Sequence, residues 1–248
     1  MSSEILDGAS KPIRGARPTT APTILIGLLA LGLVLAALDF AFPPDVSRGA
    51  RSSPVTLDRR GAWLRALPVE NGRWRIRADL DRTDSLFVSR LIRIEDSRFD
   101  VHRGVDPFAV TRAAASALLR GRIRSGASTL TMQTARLLTP HRRTLAAKVI
   151  EMVRAMQLEE RLSKRQILGL YLTLAPYGGN LEGVRAASLA YFGHEPASLT
   201  NGEQALLIAM PQSPEARRPD PQRMVQACGG FPGDEIGPIH IPEPARSF

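Results

Sequence analysis

Hydrophobic positions run unbroken at one end of this chain and recur at helical spacing through the rest. From Pro18 to Leu38 no residue is charged, and Thr23–Leu38 reads TILIGLLALGLVLAAL. An uncharged run of about 20 residues, rising about 1.5 Å per residue, matches a bilayer core of about 30 Å. Lys11, Arg14 and Arg17 precede the run and Asp39 follows it. That charge bias predicts a cytoplasmic N-terminus over 1–20, a transmembrane anchor over 21–42, and everything later on the far side. A cleaved leader would need small residues just after the run, where Leu38 and Asp39 stand, so a retained anchor is expected.

Beyond the run, Pro43, Pro44 and Pro54 in a Ser- and Arg-rich stretch predict a linker over 43–60. A domain is expected over 61–221. Gly72–Leu80 alternates apolar and polar residues as an edge strand does. Helices then dominate. Leu86–Ser97 has helical spacing, and Asp106-Pro107 sets an N-cap before a first-position proline, opening a helix that Gly121 closes. Ser128 or Thr129 opens another that stops before Pro140. Thr144–Leu162 is long and amphipathic, with Leu145, Val149, Met152 and Met156 on the side expected to be buried. Ser163 with Gln166, and Thr200 with Glu203, are capping-box pairs. Tyr177–Asn180 reads as a loop. The tail, 222–248, has Gly and Pro but no period, and is expected to be disordered.

Composition narrows the partners. The 248 residues carry 33 basic against 24 acidic side chains, a formal charge of +9, and lysine appears only at 11, 148 and 164. A basic surface admits anionic partners, and a domain beyond a membrane makes nucleic acid an unsuitable one. Cys228 stands alone, so disulfide-stapled and Cys-rich metal folds are excluded.

Three segments carry candidate chemistry. Glu95-Asp96 sits near the end of an apolar helix beside Phe99 and His102. A carboxylate there loses hydration, which suits a general base, while an ion pair of Asp96 with Arg98 or His102 is the plainer reading. Gly126-Ala127-Ser128-Thr129 opens a helix whose free N–H groups favour an anion. Thr129, Gln133 and Arg136 are spaced to share one face, although helix capping accounts for Ser128 and Thr129 equally well. Lys148 and Glu151 are three residues apart on a helix, as in an ordinary surface ion pair or as a cation and a second active-site carboxylate.

In order, Glu95-Asp96-x-x-Phe99-x-x-His102-x-Gly104, Gly126-Ala127-Ser128-Thr129-Leu130-Thr131-x-Gln133, Lys148-x-x-Glu151 and Lys164-x-x-Ile167-Leu168-x-x-Tyr171-Leu172 resemble the motifs of the peptidoglycan glycosyltransferases, glycosyltransferase family 51. The likeness covers about Gly72 to Asp220. Thr131-Met132-Gln133 with Arg136, and Ala175–Asn180, are most similar to the penicillin-binding protein 1C branch, in which a transpeptidase half follows. The resemblance implies a mostly α, lysozyme-like glycosyltransferase domain with head and jaw lobes, the jaw touching the membrane. It implies polymerisation of lipid II into β-1,4 glycan strands at the bacterial inner membrane, on its outer side, with inversion and release of undecaprenyl diphosphate. Glu95 then corresponds to the catalytic base and Glu151 to the second catalytic glutamate. Asp96, Phe99, His102, Ser128, Thr129, Gln133, Arg136 and Lys148 correspond to substrate-binding positions. Lipid II, the growing strand, the membrane and other cell-wall synthesis proteins are the implied partners. A divalent cation, magnesium or manganese, is compatible with the family, but no residue pattern here fixes a metal site.

The sequence also departs from the family pattern. Ala147 stands where arginine usually precedes the lysine, a charge that Arg142 or Arg143 is placed to supply. Thr173 replaces the asparagine usual after Tyr-Leu, and Arg136 the commoner lysine. No Ser-x-x-Lys or Lys-Thr-Gly occurs, and the likeness fades after Asp220-Pro221, as a truncated or frameshifted product lacking the transpeptidase half would read. A hydrolase or lytic enzyme on the same scaffold, and an inactive lipid II-binding remnant, are the competing expectations.

Overall fold

The computed structural model describes residues 41–59, 63–120, 128–142 and 144–214, with a few isolated positions between 26 and 39. The chain divides into two units at Pro43/Pro44. In the first, the described positions from Ile26 to Ala41 are helical. The expected anchor and the expected tail lie largely or wholly outside the described residues. Among the described residues, no helix is long and apolar enough to cross a membrane.

The second unit is mostly helical, as expected. A one-turn helix α1 (Ser47–Ala50) precedes an antiparallel pair, β1 (Val55–Leu57) with β2 (Trp63–Ala66). Then come β3 (Trp74–Arg75), α2 (Ser85–Glu95), α3 (Pro107–Arg120), α4 (Leu130–Leu138), α5 (Leu145–Arg161) and α6 (Lys164–Leu174). After α6, β4 (Leu181–Glu182) lies parallel to β3, with Trp74 opposite Leu181 and Arg75 opposite Glu182. Helices α7 (Val184–Phe192) and α8 (Asn201–Ala209) follow, ending in a tight turn at Met210–Gln212.

Local sequence explains most boundaries. Asp84 caps α2 by accepting the N–H groups of Leu86 at 2.8 Å and Phe87 at 3.0 Å. Phe87 and Leu91, one turn apart, are fully buried. The capping boxes at Ser163/Gln166 and Thr200/Glu203 both form. Asp106 accepts the N–H of Phe108 ahead of α3. Helix α6 is the centre of the core, burying Ile167, Leu168, Tyr171, Leu172 and Leu174. At its end, the Thr173 hydroxyl donates to the Gly169 carbonyl at 2.7 Å and accepts the Ala78 N–H at 3.1 Å, so the departure at 173 is fully bonded.

Three expectations are corrected. The segment 43–60 is not a linker: from Pro44 it belongs to the compact unit, because its polar groups are claimed by a buried ion cluster. Glu182, nearly inaccessible, takes Arg75 Nε at 2.7 Å and Arg48 Nη2 at 2.8 Å, while Arg48 Nη1 donates to the Leu137 carbonyl at 2.8 Å. Arg75 also donates to the carbonyls of Arg48 and Arg51, and Ser53 exchanges bonds with the Arg75 backbone. The strand expected over 72–80 shrinks to Trp74–Arg75, since Arg75 is drawn inward to Glu182 instead of facing solvent.

The third correction concerns α5. Its apolar stripe faces outward: Leu145 is 81% and Val149 60% exposed, and Met156 is exposed too. Its buried positions are Glu151, Ala155, Gln157 and Leu158. Charges can face inward here because α4 presents their partners. Backbone contact fixes the same face, since Gly104 (φ +86°) passes Ala155 so closely that a Cβ on it would lie 2.7 Å from the Ala155 carbonyl.

Candidate active site

Helix α2 ends on Glu95, and the backbone turns away at Asp96 (φ −158°), so these neighbouring acids point to different surroundings. Glu95 is half-buried. Its Oε2 accepts Gln133 Nε2 of α4 at 3.1 Å, and its Oε1 accepts Gln212 Nε2 of the turn after α8 at 2.7 Å. Both donors are neutral amides that cannot take a proton from the carboxyl group.

Asp96 is buried. Both of its oxygens lie 3.0 Å from His102 Nε2, and Oδ2 accepts the N–H of Leu130, the first residue of α4, at 2.8 Å. A carboxylate at a helix N-terminus meets free N–H groups and the positive end of the dipole. The Thr129 hydroxyl donates to the Gly104 carbonyl at 2.5 Å and accepts the Met132 N–H at 3.1 Å, making Thr129 the N-cap of α4. Phe99 is in the core, edge-on to His102, with Lys164 Nζ 4.5 Å above its ring centre. Lys164 also donates to the His102 carbonyl and to Glu159, and the Thr131 hydroxyl shares that Glu159 oxygen. Asp96, Phe99, His102 and Thr129 are thus turned inward, and Asp96 and Thr129 bond the start of α4, while the buried His102 Nδ1 has no hydrogen-bond partner among the described residues.

The remaining expected positions gather around Glu151, which is 5% exposed. Lys148 Nζ reaches Glu151 Oε2 at 2.8 Å and Ser128 Oγ at 2.5 Å. Arg136 Nη1 lies 3.9 Å and His141 Nε2 3.3 Å from Glu151 Oε1. The Lys148–Glu151 pair is therefore no solvated surface bridge. Two fixed cations face one carboxylate, which leaves an excess of positive charge beside the cleft. Arg142 is exposed and Arg143 lies outside the described residues. Among the described residues, the basic group that reaches Glu151 from this segment is His141.

Both clusters meet on α4, where Gln133 and Arg136 are one turn apart. A cavity of about 180 Å³ opens beside them, lined also by Tyr171, Pro211 and Gln212. Burial pushes the Tyr171 phenol up, and the nearby Glu95 charge adds to this against Arg136. Burial likewise pushes up Tyr177, whose hydroxyl has no hydrogen-bond partner among the described residues. A neutral phenol thus lines the cavity beside Glu95. A larger depression of about 420 Å³ lies between α2 and α6, against Val88, Ile92, Phe99 and Lys164. It includes neither Gln133 nor Arg136; the smaller cavity is lined by both, the residues that reach Glu95 and Glu151, although neither glutamate lines it, and it is the candidate site. Sequence reading missed Gln212, His141 and the cavity-lining role of Tyr171. Only Tyr171 carried a signal, as part of the fourth motif.

Residues 61–228 match the family model described as Transglycosylase. The chain belongs to the transglycosylase family. The kinship expected from the four motifs is borne out. Over 166 residues the chain is 49% identical to penicillin-binding protein 1C of Escherichia coli (strain K12), covering 67% of this chain and 22% of that one. Penicillin-binding protein 1A of the same organism is 42% identical over 147 residues, 58% of this chain and 17% of the relative. Penicillin-binding protein 1F of Bacillus subtilis (strain 168) is 32% identical over 169 residues, 68% and 23% of the respective lengths. The chain thus spans about a fifth of the length of these curated relatives.

The family leaves room for a divalent cation. Among the described residues, no three His, Cys, Asp or Glu side chains converge on one point. Around Glu151 the neighbours are Lys148, Arg136 and His141, basic groups that oppose a second cation. The residues described do not by themselves compose a metal centre.

Proposed function

We propose that this chain is a membrane-bound peptidoglycan glycosyltransferase that polymerises lipid II into β-1,4 glycan strands. One observation carries the reading. A carboxylate held by two amides, Glu95, and a cation-rich cluster around Glu151 are joined through one turn of α4, beside one cavity. A base and an anion cradle at that spacing suit a sugar acceptor next to a sugar diphosphate donor.

In this reaction Glu95 takes the proton of the acceptor 4-hydroxyl as that oxygen forms its bond to the donor's anomeric carbon. The bond from that carbon to the diphosphate breaks with inversion, and the lipid diphosphate leaves with the electron pair. Negative charge grows on the leaving oxygens, and Lys148 and Arg136, already desolvated on one side, stabilise it without reorganising. Glu151 holds Lys148 and Arg136 in place. Asp96, His102, Phe99 and Thr129 keep α4 in register behind them, and Ser128 steadies the Lys148 ammonium.

Two features favour a membrane setting on the outer face of a bacterial inner membrane. The uncharged run before Asp39 is long enough to anchor the chain. The outward apolar stripe of α5, from Leu145 to Met156, would lose less by facing acyl chains than water. The lysozyme-like head and jaw arrangement belongs to this reading, as does partnership with other cell-wall synthesis proteins. Purified protein in detergent, given lipid II, is expected to produce glycan polymer. Glu95→Gln is expected to lower the rate by about 10²–10⁴, the usual contribution of a general base. Release of soluble fragments from cell wall without lipid II consumption would instead support the hydrolase.

A further inference from the structure

We propose that Gln212 is a positioning residue for the base, the second arm of an amide clamp whose first arm is Gln133. The inference takes its catalytic meaning from the glycosyltransfer reading above. Glu95 is the last residue of a helix and only half-buried, so its carboxyl group is not fixed by packing. A single amide on one oxygen would leave the carboxylate plane free to swing about that contact. Two amides, one on each oxygen and from separate elements, remove that freedom. Each oxygen keeps a second lone-pair direction, so an incoming hydroxyl still finds an acceptor.

The Gln212 arm is itself anchored. It belongs to a 3₁₀ turn whose first residue, Met210, is fully buried, and whose second, Pro211, fixes its own φ. Gln212 and Gln133 line the same cavity, so the clamp faces the volume where the acceptor must sit. The plainer role for an exposed glutamine is surface packing, and the isosteric change to glutamate separates the two. It keeps the shape, removes both donors and adds a negative charge beside Glu95, so the neutral Gln212→Ala is read with it.

The test compares wild type, Gln212→Ala and Gln212→Glu in the lipid II assay. A donor role predicts kcat lower by roughly three- to tenfold in Gln212→Ala and by more in Gln212→Glu, with KM changed less than about twofold. Wild-type kcat in both variants would overturn the clamp. A second readout needs no turnover: the ¹³C carboxyl signal of Glu95 at fixed neutral pH, assigned by its loss in Glu95→Gln, should change its chemical shift in Gln212→Ala as the donor on Oε1 is lost. An unmoved signal overturns the clamp whether or not the chain polymerises lipid II. An inactive wild type whose Glu95 signal does move counts only against the glycosyltransfer reading.

Discussion

The first turn of α4 and its second turn lie within nine residues, yet they are built to opposite rules. At the first turn, Thr129, Leu130 and Asp96 are buried and every donor shown there meets an acceptor inside the protein. At the second, Gln133 and Arg136 reach half-buried or charged partners across a cavity. On the proposed reading the first turn is a fixed base plate and the second a working face. Two adjacent acids divide along the same line, Asp96 serving the plate and Glu95 the face. Burial with dense bonding gives rigidity; incomplete enclosure leaves open volume beside Gln133 and Arg136.

Substitutions should break the two turns differently. The largest expected effect on folding is Asp96→Ala, which strands buried His102 and the Leu130 N–H; a loss of about 3–5 kcal/mol in denaturant unfolding is expected. Glu95→Gln should leave that unfolding midpoint nearly unchanged while removing activity, and a matching loss of stability would erase the division. Next, Arg136→Ala should spare folding but lower kcat/KM for lipid II by about 10- to 100-fold, as expected for losing a charge-assisted contact. A wild-type value there would remove Arg136 from the working face. The smallest effect lies outside both turns. Asp84→Ala, which uncaps α2, should cost about 1 kcal/mol at neutral pH. The N–H of Leu199, opposed by burial and reinforced by those of Phe87 and Leu86, holds the Asp84 carboxyl below its ordinary 3.8. Its contribution is therefore complete above pH 3.8 and fades as pH falls through the lower folded value. The gap between wild type and Asp84→Ala should narrow over that acidic range.

Helices were the legible part of this fold. Caps at Ser163, Thr200, Asp106 and Thr129 are local signals, and each helix began where its cap predicted. The facing of α5 was not legible, because apolar residues suggest the inner side only when nothing else competes for it. Here Glu151 and Lys148 found partners on α4 and took the interior, leaving Leu145 and Val149 outside. The same blindness hid Gln212, which is 117 residues from Glu95 and sits in no periodic segment. Glu182 was hidden likewise, with Arg75 107 residues away, so proline and arginine around it read as a linker. Long-range polar pairing leaves no periodic trace in a sequence.

The knot of guanidinium groups around Glu182 has a mechanical consequence. Arg48 grips Glu182 with one nitrogen and the last turn of α4 with another, only a few residues after the compact unit begins. A tug on the chain at Pro44 is therefore borne in shear by buried ions and by the end of the helix that carries Gln133 and Arg136. Tension entering there is passed directly to the end of α4.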